Sequence, residues 1–378
     1  MTPIEAMQKH YLQRDLAARE WTKNGGKVVG YFCDNVPEEL ILAAGFFPLR
    51  ISGDPKGGLE EVGIVYENGR PFYREIFASS MLHRILTGEY EFMDYLVIPH
   101  ARESVHRLYT ALVRRKEANP ELGLPEIHYL DNLHTTFYSS EIYNRARCLD
   151  LKINLEKWSE KKITDEALSK AITVTNESKI LLKKVADIRA AEPPRISGVE
   201  ALQIIGSSMF MLKEDHNQLL KDYLETADQL PAREGKRIFT SGSPLDHLQF
   251  YELIESCGAV IVGEDNCWGN RSSDVPIDVS GDPFEAIIKR YLHKSPCPRI
   301  VPVSLRVNYC VDSTLTSKAQ GIIFNVFEFD NMPPWEIPEE IDALKEKGVQ
   351  TLYFNKQPYW ITETENIKEK IIEFIKSI

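Results

Sequence analysis

The sequence predicts an α/β protein: two doubly wound, flavodoxin-like parallel-sheet domains joined by a helical connector. Three observations predict it. Short apolar runs alternate with helix-periodic stretches through the first 130 residues, the pattern of a parallel sheet covered on both faces. From Thr164 to about residue 232 the apolar spacing is helical only. From 233 onward, strand–helix units follow one another again, five of them on this reading, with right-handed crossovers expected. The expected division is an N-terminal α/β domain at 1–163, a helical connector at 164–232 and a C-terminal α/β domain at 233–378.

Residues 5–23 read as helical. The stretch Val28 to Arg50, VVGYFCDNVPEELILAAGFFPLR, follows. Val28, Val29, Tyr31 and Phe32 form a strand, and Cys33 stands at its carboxyl end. Pro37 with Glu38 and Glu39 suits the start of a helix, Leu40, Ile41 and Ala44 give that helix an apolar face, and Gly45 stops it before a second strand from Pro48. Gly53, Asp54, Pro55, Gly57 and Gly58 mark turns. A helix is expected from Phe72 to about Leu86, a strand at Tyr95–Ile98, a helix at Ser104–Glu117 and a strand at Ile127–Leu130. In the connector, Thr164 is a candidate N-cap, Pro193 and Pro194 end the first helix, and Ser197 with Glu200 forms a capping box for the second. A third helix is expected over His216–Leu230. The second half reads as strands at Ile238–Thr240, Ala259–Val262, Ile300–Val303, Gly321–Phe327 and Val349–Phe354. The expected helices run from Leu245 to Cys257, Pro283 to His293, Val307 to Lys318, Glu339 to Lys347 and Glu365 to Ile378.

Composition narrows the function. The 378 residues are 43% hydrophobic and 27% charged, which suits an ordinary globular chain long enough for two domains. A net charge of −11 argues against nucleic-acid or anionic-membrane partners. No apolar run approaches the length of a membrane span, and the first twenty residues lack a signal-peptide core. Six scattered cysteines in so long a chain are no disulfide framework, so a cytoplasmic protein is expected. There is no Walker A motif, no GxGxxG and no CxxC.

Ligands of open α/β sheets bind at the carboxyl ends of the strands. Those ends supply Cys33, then His100 with Arg102, then the run Glu264, Asp265, Cys267, Trp268 and Arg271, and finally Asp330. Cys33 admits three readings: a buried small hydrophobe, a nucleophile or a metal ligand. The Glu264–Arg271 run places acids, a thiol, an indole and a guanidinium after a buried strand. Such a mixture is costly to bury unless it binds something or pairs internally, for instance as an Asp265–Arg271 ion pair. Cys257 and Cys310 fall on apolar helix faces, Cys148 and Cys297 are expected to be structural, and His83, His128, His134 and His247 read as structural histidines.

The Cys33 stretch resembles the signature of the 2-hydroxyacyl-CoA dehydratase / benzoyl-CoA reductase subunit family, the dehydratase D-component type. Segments beginning at Tyr95, Val262, Gly321 and Gly348 are similar to family segments in the family's order. Phe137 to Arg145 and Thr164 to Leu168 look closest to the smaller cluster-domain subunit of ATP-dependent benzoyl-CoA reductase. The resemblance implies a related cluster-bearing partner subunit, an ATP-dependent activator with its own [4Fe–4S] cluster, an acyl-CoA substrate and a [4Fe–4S] cluster beside it. It makes Cys33 a cluster ligand.

The departure lies in the other ligands. The family supplies its second and third cysteines from Ile-Pro-x-x-Cys-Asp and Phe-Cys-Asp segments. Here those read Ile98, Pro99, His100, Ala101, Arg102, Glu103 and Phe329, Asp330, Asn331. Three readings stay open: an atypical cluster held through Cys33 and Cys267 with help from His100 or Asp330, a chain that shapes the substrate site beside a cluster-bearing partner, or a structural Cys33. The function read here is a subunit of a benzoyl-CoA reductase-like complex, with a 2-hydroxyacyl-CoA dehydratase subunit or a cluster-free scaffold binding a CoA ester as alternatives. Expected substrate contacts are His100, Arg102, Glu264, Asp265, Trp268, Arg271 and Asp330; expected cofactor contacts are Cys33 and Cys267.

Overall fold

The computed structural model describes residues 1–57, 75–272 and 275–378, with the backbone of 66–67 and 70–71. The chain opens with helices α1 (Pro3–Leu12) and α2 (Leu16–Lys23), then strand β1 (Val28–Tyr31), helix α3 (Glu38–Ala43) and strand β2 (Phe47–Arg50). A hairpin of β3 (Tyr66–Glu67) and β4 (Arg70–Pro71) precedes α4 (Ile76–Leu86), β5 (Tyr95–Pro99), α5 (Glu103–Ala118) and β6 (Glu126–Leu130). Four helices follow: α6 (Tyr138–Ser159), α7 (Asp165–Ala190), α8 (Gly198–Ser207) and α9 (Lys213–Leu224). The second half runs β7 (Lys236–Gly242), α10 (Gln249–Ser256), β8 (Ala259–Asp265), α11 (Pro283–His293), α12 (Ser304–Thr316), β9 (Gly321–Phe327), α13 (Pro333–Glu346), β10 (Gln350–Gln357) and α14 (Thr364–Ser377).

Two four-stranded sheets result, ordered β2-β1-β5-β6 and β10-β9-β7-β8, and every pairing in them is parallel. In each sheet the first strand is central, with one neighbour on one side and the rest of the sheet on the other. This is the doubly wound, flavodoxin-like arrangement expected, and it creates a switch point beside β1 and another beside β7. β1, β8 and β9 are buried along their whole length, as helix-covered parallel strands must be, whereas the edge strands β6 and β10 are only partly buried. One apolar core links the sheets, joining Val28 and Leu96 of the first to Ile238 and Ile323 of the second through Ile204, Ile205 and Trp268.

Local chemistry explains several helix starts. Thr164 Oγ1 accepts from the Ala167 amide at 3.2 Å, Ser197 and Glu200 form the capping box, and Asp282 caps α11 behind Pro283. Gly45 takes φ +83° at the end of α3, where a side chain would be strained.

The structure adds to or departs from the sequence reading at four places. Residues 5–23 are helical as read, in two segments broken after Leu12. Ile300–Val303 is no strand: Val301 makes a single bridge to Thr135, Pro298 and Pro302 cannot donate to a ladder, and the second sheet therefore has four strands. The α6 helix has no counterpart in the sequence reading, because it is apolar on two sides and shows no single stripe. Cys148, Leu151, Leu155 and Trp158 face the core, while Tyr138, Ile142, Leu149 and Ile153 are exposed. Finally, α4 begins at Ile76 and α13 at Pro333; the expected start at Phe72, and the turn at Gly58, lie outside the described residues. Among the described residues no helix is long and apolar enough to cross a membrane.

Candidate functional site

The two switch points face one another. Cys33 follows β1, Arg102 follows β5, Ser243 follows β7 and Asp330 follows β9, so both sheets present their carboxyl ends to a shared cleft. The cleft encloses about 700 Å³, its open mouth included. Phe77, Met81, Trp268 and Met332 contribute apolar wall, and Arg50, Arg102, Arg271 and Arg299 contribute charge. Cys33 (φ 58°), in the lining, and Phe329 (φ 66°), next to the lining residue Asp330, adopt left-handed backbone although neither is glycine. Such positions cost of order 1–3 kcal/mol each and cluster at functional sites.

Burial first, then the nearby Cys267 thiol, pushes the Cys33 thiol up to about 12, with Arg50 opposing. Cys33 is thus a neutral thiol at physiological pH, which disfavours the nucleophile reading. Arg50, at the end of β2, donates to the Cys267 carbonyl at 2.6 Å and to its Sγ at 3.0 Å, and its guanidinium lies 3.9 Å over the Trp268 ring. Arg102 donates to Glu75 Oε1 at 2.6 Å and pairs with Asp330 Oδ1 at 2.5 Å. The other Asp330 oxygen accepts from the Ser243 hydroxyl at 2.6 Å, and that hydroxyl accepts from the Phe327 amide at 2.9 Å.

The structure sorts the candidates drawn from the sequence. Cys33, Arg102, Cys267, Trp268, Arg271 and Asp330 line the cleft. Glu264 does not: it is wholly buried behind it, paired with Arg189 and accepting from the Asn270 amide at 2.8 Å. Asp265 is likewise internal, 3.3 Å from Arg271 and 2.6 Å from Arg306, so the ion-pair reading of this run describes both acids. Both belong to β8 rather than to the loop after it. His100 stands outside the cleft, bonded to Asp131 at 2.9 Å. Sequence reasoning missed Arg50, Arg299 and Cys297. Cys297, expected to be structural, lines the cleft with Cys33 and Cys267. Arg50 ends β2, so the strand-end rule could have found it; Cys297 and Arg299 lie between α11 and α12, and only the folded topology brings them to the cleft.

Metal binding can be tested at two places. Among the described residues, Asp265, Cys310 and Glu340 are the one group whose ligand atoms approach within 4.8 Å. Arg306 already pairs with both acids there, at 2.6 and 3.5 Å, so a cation of the protein's own fills that role. The second place is the cleft. When a thiolate-held [4Fe–4S] cluster is bound in a dry pocket, it supplies one-electron chemistry at low potential. Of the three positions the resemblance assigns to it, Arg102 and Asp330 are joined to each other in this chain, and the family's ligand set does not fit.

Three donors on cleft residues have no acceptor among the described residues: Arg50 Nε, Trp268 Nε1 and Arg299 Nη1. Buried donors without a partner are rare in native structures. Fold and site together define a doubly wound α/β protein with an arginine-rich, apolar-walled cleft between two switch points.

Comparison with known proteins gives that class its family. The chain matches the profile of 2-hydroxyglutaryl-CoA dehydratase, D-component, over residues 33–378, and it belongs to that family. It is 27% identical to a benzoyl-CoA reductase subunit of Thauera aromatica, over 89% of this chain and 88% of that one. It is 23% identical to the (R)-phenyllactyl-CoA dehydratase beta subunit of Clostridium sporogenes, over 86% and 85%. It is 22% identical to the beta subunit of (R)-2-hydroxyglutaryl-CoA dehydratase from Acidaminococcus fermentans, over 90% of each.

Proposed function

We propose that this chain is a subunit of a benzoyl-CoA reductase-like complex performing ATP-coupled, low-potential reduction of an aromatic acyl-CoA thioester, and that its cleft helps enclose the acyl group. The composition of the cleft carries this reading. A flat aromatic acyl group suits a wall of Phe77, Met81, Trp268 and Met332, and the positive charge of Arg50, Arg102, Arg271 and Arg299 in the same lining suits a thioester carbonyl or a phosphate oxygen. Likeness to the Thauera subunit favours a reductase over a dehydratase. In this reading Arg102, Trp268, Arg271 and Asp330 line the substrate's path, and residues 164–232 connect the α/β units 1–163 and 233–378. A related cluster-bearing subunit and an ATP-dependent activator with its own [4Fe–4S] cluster complete a cytoplasmic assembly. The exposed Tyr138, Ile142, Leu149 and Ile153 of α6 support an assembled state, because interface cores are rich in aromatic and apolar side chains.

The test is anaerobic binding of benzoyl-CoA and of a 2-hydroxyacyl-CoA to the full chain with its co-purified partner. Benzoyl-CoA is expected to bind more tightly, and Trp268→Phe, which keeps a ring and deletes the donor, to weaken it about fivefold. Binding of the 2-hydroxyacyl ester alone would make the chain a dehydratase subunit. Binding of neither would leave a scaffold.

A further inference from the structure

Cys33, Arg102 and Asp330 lie in three loops that meet in one cleft, and they are the three positions at which the resemblance expects cluster thiolates. In this chain two of the three hold each other. The Arg102 guanidinium spans from Glu75 Oε1 (2.6 Å) to Asp330 Oδ1 (2.5 Å), and Ser243 takes the remaining Asp330 oxygen at 2.6 Å. These side chains are little exposed, at 14% for Arg102, 9% for Glu75 and 2% for Asp330. A charge-paired, hydrogen-bonded arrangement of this kind is stable only while complete, because removing one partner leaves an uncompensated buried charge. A cubane between these loops would displace the guanidinium. It would leave Glu75 and Asp330 as two buried carboxylates facing an anionic cluster, with Cys33 as the sole thiolate at the family's positions.

We propose that this subunit holds no iron–sulfur cluster, the Glu75–Arg102–Asp330 clamp having closed the place where the family keeps one. The cleft is then a ligand-binding half whose reducing centre lies on another chain. This inference rests on family membership and not on which acyl thioester binds, so it survives a failed benzoyl-CoA experiment.

The test reads iron and acid-labile sulfide, not activity. The full chain, purified anaerobically and then reconstituted with iron and sulfide, is expected to retain well under one iron, where a cubane would give about four of each. In the complex with its co-purified partner, Cys33→Ser is expected to leave the iron content unchanged. The double variant Arg102→Cys with Asp330→Cys restores three thiols and is expected to take up about four iron and four sulfide, lost again on adding Cys33→Ser. Should the double variant fail to fold, Glu75→Gln added to it removes the carboxylate left unpaired. About four iron in the wild-type chain would overturn the proposal, and loss of that iron in Cys267→Ser or Cys297→Ser would place the cluster on the cleft's other thiols. A folded three-thiol variant that takes up no iron would also overturn it, since the three loops would then not converge on a cluster site.

Discussion

Replacing Arg306 with methionine is expected to destabilise the protein by about 3–5 kcal/mol at pH 8, because one guanidinium is shared by three buried carboxylates. Arg306 lies 2.6 Å from Asp265, 3.2 Å from Glu336 and 3.5 Å from Glu340. Asp265 keeps Arg271, but Glu336 and Glu340 lose the cation beside them. The effect should depend on pH. Burial first, with the nearby Asp265 and Glu336 adding to it, pushes the Glu340 carboxyl up to about 8, against a usual value of 4.5, even with Arg306 opposing. A carboxyl raised on folding contributes stability that is complete below its unfolded value and is lost as pH rises through the folded one. Wild-type stability from this group therefore declines between about pH 4.5 and 8. Without Arg306, whose charge lowers both the Glu336 and Glu340 carboxyls, their folded values rise further and the decline runs on to higher pH, so the variant's deficit is smaller at pH 5 than at pH 8. Denaturant titrations at the two pH values read this directly. A deficit under about 1 kcal/mol at both would mean that the network contributes no more than a surface pair.

The second large effect concerns Arg189 and Glu264, a fully buried pair linking α7 to the end of β8. Arg189→Met alone is expected to cost about 3–5 kcal/mol, since it strands an ionised carboxylate. Adding Glu264→Gln should recover most of that, because the amide carbonyl can still accept from Asn270 and no charge remains. The pair also decides the role of Glu264. As a structural acid behind the cleft, Glu264 should couple to Arg189 in a double-mutant cycle, and the double variant should bind acyl-CoA as the wild type does. A ligand contact would show the reverse: Glu264→Gln would weaken binding while its stability term stayed independent of Arg189.

The order of the strands cannot be read from the chain, yet their existence can, because a parallel strand covered on both faces must be a near-continuous apolar run. Val28–Tyr31, Tyr95–Pro99, Ala259–Asp265 and Gly321–Phe327 are of this kind. The same signal misleads at Ile300–Val303, where apolar residues serve a proline-flanked loop. The α6 helix escapes because two apolar faces cancel the period that reveals a helix. At the site, proximity to a strand's carboxyl end draws attention to Cys33, Arg102, Trp268 and Asp330, all of which line the cleft. It does not tell Glu264 from its neighbour. Successive residues of a strand point to opposite faces, so Glu264 meets Arg189 on one side and Asp265 meets Arg306 on the other.

The sequence alone thus determined the two α/β halves, three of the four helices between them, the family, and the absence of cysteine at positions 102 and 330, since each is written in local pattern or motif. Tertiary structure decided that Arg102 and Asp330 are partners, that Arg50 holds Cys267, and that Cys297 shares a cleft with Cys33. Arg50 and Cys267 stand 217 positions apart, and the other two pairs are more distant still. Such pairs are set by which strand ends the winding of two sheets brings face to face, and local pattern carries no record of it.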